Sequence, residues 1–176
     1  MALTFDERLK MFRELMGNNV SHEFEDWLVR NGFFHAPAST KYHGNYEGGL
    51  FDHCYFVTKS LVELSIRNDL KWEKAESPLM VGMFHDLCKI DNYTKNEDGT
   101  YSYNINTLLR GHGVKSVMLL SQFYNMSEEE ITCITYHMGA FTEKEEWQDY
   151  TRAVNTYANV LWTHHADMIA SHVLGV

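Results

Sequence analysis

Apolar side chains recur at three- and four-residue intervals along most of the chain, which is the helical period. Phe5, Leu9, Phe12 and Met16 form one stripe, opened by Thr4 and stopped by Gly17-Asn18-Asn19. A second stripe of Phe24, Trp27 and Leu28 follows Ser21 and ends at Asn31-Gly32. The period then lapses over residues 33–48, FFHAPASTKYHGNYEG, which read as an ordered loop. Leu50, Cys54, Val57, Leu61 and Leu64 predict a third helix over about 49–68. Ser77-Pro78 is a cap and first-turn pair and opens a fourth helix through HDLCK at 85–89. Between Tyr- and Thr-rich runs, Asp98-Gly99 predicts a hairpin. A fifth helix is expected over about 111–125. A sixth starts from the Ser127-x-x-Glu130 capping box and stops near Gly139. Residues 140–149 read as a charged loop, and a last helix spans about 149–170. The expectation is an all-α fold of about seven helices with one small hairpin, formed as a single domain over 1–176.

Composition narrows this picture. The chain has 176 residues, 44% hydrophobic and 14% aromatic, enough to bury a core unaided. No apolar run approaches the roughly 18 residues of a membrane helix, and MALTFDERLKMF is unlike a signal peptide, so a cytoplasmic protein is expected. Three cysteines, Cys54, Cys88 and Cys133, without CxxC spacing argue against a disulfide framework or structural zinc and read as small core residues. The net charge of −9, with no lysine or arginine cluster, argues against extended nucleic acid as partner. It leaves room for a small phosphate ester held by metal ions. Nothing in the sequence indicates an oligomeric state.

The distribution of His and Asp changes the picture most. His53 lies on the inner face of its helix, between Leu50 and Val57. His85 follows Val81 by four and brings Asp86 with it. His112 leads the stripe Ser116, Leu119, Leu120 and Phe123, His137 follows Cys133 and Ile134, and Asp167 sits seven after Val160. Five helices therefore each turn a metal-ligand type inward. Left unpaired, such groups would cost roughly 1–3 kcal/mol each, against a net stability of about 5–15 kcal/mol. A shared metal site removes that cost, and imidazole with carboxylate suits Mn, Fe, Co, Ni, Mg or non-structural Zn.

In that order on a helical chain, His53, His85-Asp86, His112, His137 and Asp167 resemble the HD-domain metal-dependent phosphohydrolase superfamily, with HDLCK similar to its HDxxK signature. APASTKYHGNYEGGLFDH, HDLCK, RGHG, YHMGAF and LWTHHADMIAS further resemble the HD domain of the 3′–5′ exoribonucleases over about 35–171. The nucleic-acid-binding domain of those enzymes has no room here, and Tyr136-His137 stands where they carry a double histidine. The likeness implies a helical HD domain with its metal-binding core over about 49–170. It implies two divalent ions bridged by Asp86, one completed by His53, His85 and Asp167, the other by His112 and His137. It implies hydrolysis of a nucleotide or other small phosphate ester by metal-activated water, in a bacterial or phage-infected cell. Alternatives with the same ligands are a mixed-valence diiron oxygenase, a 3′–5′ exonuclease or phosphodiesterase on short oligonucleotides, and a metal-holding binding module without turnover.

Other residues take expected roles around this centre. Lys89, one turn from Asp86, and Arg110, beside His112, are expected to meet phosphate oxygens. His43, next to Tyr42 in the loop, is expected to protonate a leaving group. His164, on the face of Asp167, is expected to orient a ligand. His22, His35, His165 and His172 read as surface residues. Trp27, Trp72, Trp147 and Trp162 read as core rather than stacking platforms.

Overall fold

A computed structural model describes residues 3–176. The first two helices form as the pattern predicts. Helix α1 (Phe5–Met16) starts at a capping box in which the side chains of Thr4 and Glu7 each serve the other's backbone N–H, and α2 (His22–Arg30) starts at Ser21. Their inner residues meet Phe33, Phe34, Phe51 and Phe84 in an aromatic cluster with ring centroids 5.0–6.4 Å apart. Phe84 immediately precedes His85, so this cluster anchors the chain where the site begins.

Helix α3 (Gly49–Arg67) is the central element, and α4 (Ser77–Phe84) packs along it. Gly82 makes the contact possible, because a side chain there would strike the backbone of Thr58. The entry to α3 is fixed from the other side. The Arg8 guanidinium donates two 2.8 Å hydrogen bonds to Asp52 and occupies the space a Cβ of Gly48 would need, where φ is +84°. Tyr46 donates a third bond to Asp52 at 3.1 Å. One residue beyond this buried network stands His53.

Several boundaries differ from the sequence pattern. Ser77 is the first residue of α4 rather than its cap, and its hydroxyl donates instead to Glu130 at 2.8 Å, joining α4 to α6 (Glu128–Thr135). The helix does not continue through HDLCK. Asp86 leaves the helical region (φ −104°, ψ 18°), and Leu87–Ile90 form a 3₁₀ turn. Helix α5 (Gly113–Leu120) stops short of 125. Helix α6 (Glu128–Thr135) keeps its predicted capping box but ends before Gly139. Two 3₁₀ turns, Gly139–Phe141 and Lys144–Glu146, organise the expected charged loop.

The predicted last helix is two, α7 (Trp147–Thr156) and α8 (Asn159–Met168), so the α-helices number eight among the described residues. Tyr157 is extended between them, while the Asn159 side chain donates to Lys71 O and Glu129, both at 2.8 Å. Ala153, Val160 and Asp167 keep a seven-residue interval across the break, which hides it from the periodicity. The chain continues from α8 as a π-helical segment, Ile169–Leu174.

The hairpin pairs β1 (Tyr93–Lys95) with β2 (Tyr101–Tyr103), placing Tyr93 opposite Tyr103. It is rooted on α5 by buried Lys115, which donates to Asp91, to Asn92 at 2.9 Å and to Thr107 at 3.2 Å. All three cysteines are buried and free. Trp27, Trp72 and Trp162 pack against the core, whereas Trp147 is half exposed and donates to Thr142 O. Among the described residues no helix is long and apolar enough to cross a membrane.

Candidate metal centre

The structure brings the six predicted ligands together, the other five gathered about Asp86. Only His53 on α3 and Asp167 on α8 lie within helices. His85 and Asp86 follow the end of α4, His112 immediately precedes α5, and His137 follows α6. The chain turns at these ends, which lets one carboxylate be approached from several directions.

Three of the four imidazoles are oriented through Nδ1 by a backbone carbonyl. His85 donates to Gly82 O at 2.8 Å, His137 to Ile134 O at 2.7 Å and His53 to Val176 O at 2.9 Å. A carbonyl only accepts, so the proton sits on Nδ1 and the Nε2 lone pair points the other way. The Nε2 atoms of His53 and His85 lie 3.5 Å from Asp86 Oδ2. Those of His112 and His137 lie 2.9 and 3.5 Å from Oδ1, and His53 Nε2 is also 3.2 Å from Asp167. With the proton on Nδ1, the Nε2 lone pairs of His53, His85 and His137 face the lone pairs of a carboxylate. Asp86 Oδ1 and the Nε2 atoms of His53, His85 and His137 are buried without a hydrogen-bond partner. Facing acceptors of this kind repel unless a cation lies between them. Ligand atoms within 4.8 Å of one another group as His53-His85-Asp86, His85-His137-Asp167 and Asp86-Cys88-His112. The donor set therefore fits divalent metal.

Protonation follows the same logic. Burial drives His85 down to about 3, against the pull of Asp86. Burial likewise lowers His112. It would lower His137 too, but Asp86 and Asp167 outweigh it and His137 is raised. Burial alone would raise both carboxylates. Lys89, His85 and His112 nevertheless hold Asp86 well below its usual range, and His53 and His85 lower Asp167. Cys88, whose Sγ is 3.5 Å from His112 Nδ1, is pushed up to about 12 chiefly by burial, so it stays a thiol.

Asp86 and Asp167 open onto a cavity of about 360 Å³ shared with His43, Lys89 and His112. Lys89 is buried, and its Nζ donates to Asp86 Oδ2 at 2.7 Å. Burial would lower it, but Asp86 raises it further, so it remains an ammonium. His43 enters on a turn made by Ser39, whose hydroxyl donates to His43 O at 2.8 Å and accepts from Tyr42 N–H at 2.9 Å. The His43 ring lies 4.9 Å from that of His53, and burial, reinforced by the Lys89 ammonium, lowers it to about 4. It is neutral near pH 7, a state in which the imidazole still carries one N–H to donate.

Arg110 is not brought in. It lies on an exposed stretch and lines an adjoining hollow with Tyr103, Asn104 and Thr107. His164 donates from Nδ1 to His137 O at 3.0 Å, and its ring fills the space a Cβ of Gly139 would take, bracing the turn that carries His137. His22, His35 and His165 are exposed as predicted. His172 is exposed too but stands at the cavity wall. Neither His172 nor the tie from His53 to Val176 had a signal in the sequence, because both depend on the fold-back after α8.

No family model matches the chain, and no solved structure matches it. Over 71 residues, 39% of its length, the chain is 35% identical to the dihydroneopterin 2′,3′-cyclic phosphate phosphodiesterase of Methanocaldococcus jannaschii. It spans 28% of that protein.

Proposed function

We propose that this protein is a metal-dependent phosphohydrolase of the HD type that cleaves a small phosphate ester. The observation that carries this reading is the set of facing, unpartnered lone pairs on Asp86 and its imidazoles. The 35% identical stretch of a cyclic phosphate phosphodiesterase supports the same class of substrate. His53, His85 and Asp167 would hold one ion beside Asp86 Oδ2, and His112 and His137 another beside Oδ1. Such ions, when bound, lower the pKa of a coordinated water and offset phosphoryl charge.

The chain's own residues prepare the rest. Lys89 fixes one Asp86 oxygen and presents its remaining N–H donors to the cavity, where a phosphoryl oxygen can accept them. His43 meets a leaving group as a neutral imidazole able to donate or accept one hydrogen bond. A cavity of about 360 Å³ lies at the small end of the roughly 300–1,000 Å³ of ligand sites and suits a compact ester better than an RNA strand.

The test is phosphate and alcohol release from mono-, di-, tri- and cyclic nucleotides by protein loaded in turn with Mn, Co, Ni, Fe or Zn. Turnover of one class is expected. Absence of hydrolysis with every metal would reject the reading and favour oxygen chemistry by the same ligands. Lys89→Ala is expected to lower kcat on the order of a hundredfold while metal content is unchanged. If metal is lost instead, Lys89 serves to position Asp86.

A further inference from the structure

Four aromatic rings from three separate segments surround the cavity mouth. Tyr42 comes from the loop before α3, Tyr93 and Tyr103 from the hairpin, and Phe141 from the 3₁₀ turn after α6. Three of them are far more exposed than large rings normally are: Tyr42 80%, Tyr103 71% and Phe141 62%. A single exposed ring needs no explanation, but apolar surfaces gathered around one opening mark a ligand site. The hairpin is arranged to deliver its pair. Tyr93 and Tyr103 are cross-strand partners with centroids 5.5 Å apart, and Lys95 on the same strand face donates to Glu47 at 3.0 Å, tying the hairpin to the loop of Tyr42.

The charge of the cavity points the same way. Among its lining residues Lys89 is the one lysine or arginine, and on the phosphohydrolase reading its ammonium is taken up by Asp86 and by the one phosphoryl group seated there. No cationic side chain in that lining is free to take a second or third phosphate. Arg110 lies beyond Tyr103 and Asn92 in the adjoining hollow.

Resting on the phosphohydrolase reading, we infer that the substrate carries one phosphate group and a planar aromatic ring, the phosphate at Asp86 and the ring against Tyr103, Phe141 and Tyr42. Faces of this kind stack any flat heterocycle, so the rim selects for a ring rather than for one base.

The test is calorimetry on Mn-loaded protein with ribose 5-phosphate, a nucleoside 5′-monophosphate and the matching triphosphate, with phosphate release read in parallel. The monophosphate is expected to bind about tenfold more tightly than ribose 5-phosphate, the factor a stacked ring contributes. The triphosphate is expected to bind no more tightly than the monophosphate. Tyr103→Ala and Phe141→Ala remove exposed rings and are expected to narrow the first gap, while Tyr103→Phe keeps it. Equal binding of ribose 5-phosphate and the monophosphate, or a gap untouched by both alanine variants, overturns the ring assignment. A triphosphate held tenfold more tightly overturns the single-phosphate assignment. Hydrolysis without ring preference sinks this inference and leaves the phosphohydrolase reading standing. Ring-dependent binding without hydrolysis under any metal does the reverse.

Discussion

Asp86→Ala is expected to lower hydrolysis on the order of a thousandfold or more and to strip the protein of metal. The reason is positional. Four imidazoles aim Nε2 at the two oxygens of this one side chain, which is shared between both halves of the cluster. Loss of any single histidine would leave one half intact, whereas loss of Asp86 breaks both. The effect on folding is smaller and mixed. Leaving Lys89 buried without its partner costs about 3–5 kcal/mol, but the repulsion between carboxylate and imidazole lone pairs is relieved as well. Asp86→Asn keeps the shape and an acceptor for Lys89, so it should fold better and still fail to turn over. Elemental analysis of the purified variants, with phosphate release on the best substrate, checks this. An alanine variant that kept two ions and near-normal rates would rule out a bridging role.

His112→Ala gives a graded version of the same experiment. It removes one of two histidines on the Oδ1 side and leaves His53, His85 and Asp167 around Oδ2. About half the bound metal and most of the activity should be lost. Full metal content with an unchanged rate would contradict the two-sided arrangement.

How much of this was legible in the sequence depends on what each feature requires. The helical class and the buried His and Asp positions follow from local periodicity, because a side chain four residues from a core residue must face the core. The helix ends at the site were not legible. HDLCK looks helical throughout, yet Asp86 turns out of the helix, and that turn sets its carboxylate among four rings. The break at Tyr157 was masked by the unbroken seven-residue interval of Ala153, Val160 and Asp167. Arg110 shows the opposite failure: adjacency to His112 placed it in the site by sequence, but the backbone there runs along the surface. The aromatic rim needs residues some 100 positions apart to converge, from Tyr42 to Phe141, so no local pattern signals it.

Acid is expected to destabilise the metal-stripped protein progressively between about pH 6 and pH 4, and divalent metal to protect it only at the upper end of that window. The direction follows from proton counts. His85 is lowered to about 3 and His43 to about 4, against about 6.5 in an unfolded chain. Over that interval the unfolded state binds more protons than the native state, so stability rises with pH and is lost as pH falls. His112 and His164 shift in the same direction. His137, raised by Asp86 and Asp167, works against them, adding stability that is present below the usual histidine range and lost above it. Asp86 and Asp167 are held low, so their contribution persists until pH falls below the ordinary carboxylate range. His85 and His43 together set a slope of roughly 1–2 kcal/mol per pH unit once screening is allowed for, so about 2–4 kcal/mol is lost between pH 6 and pH 4, a sizeable part of a net stability of about 5–15 kcal/mol. Metal requires the same imidazoles deprotonated, so its affinity falls with pH as well. At pH 7.5, with free metal at a thousand times its Kd, it should add about 4 kcal/mol, and little of that should survive at pH 4.5. Urea unfolding at several pH values, with and without Mn, measures both slopes. Stability that stayed level from pH 7 to pH 4 without metal would mean that the histidines are not held neutral in the core, and the facing lone pairs that imply a metal would not exist.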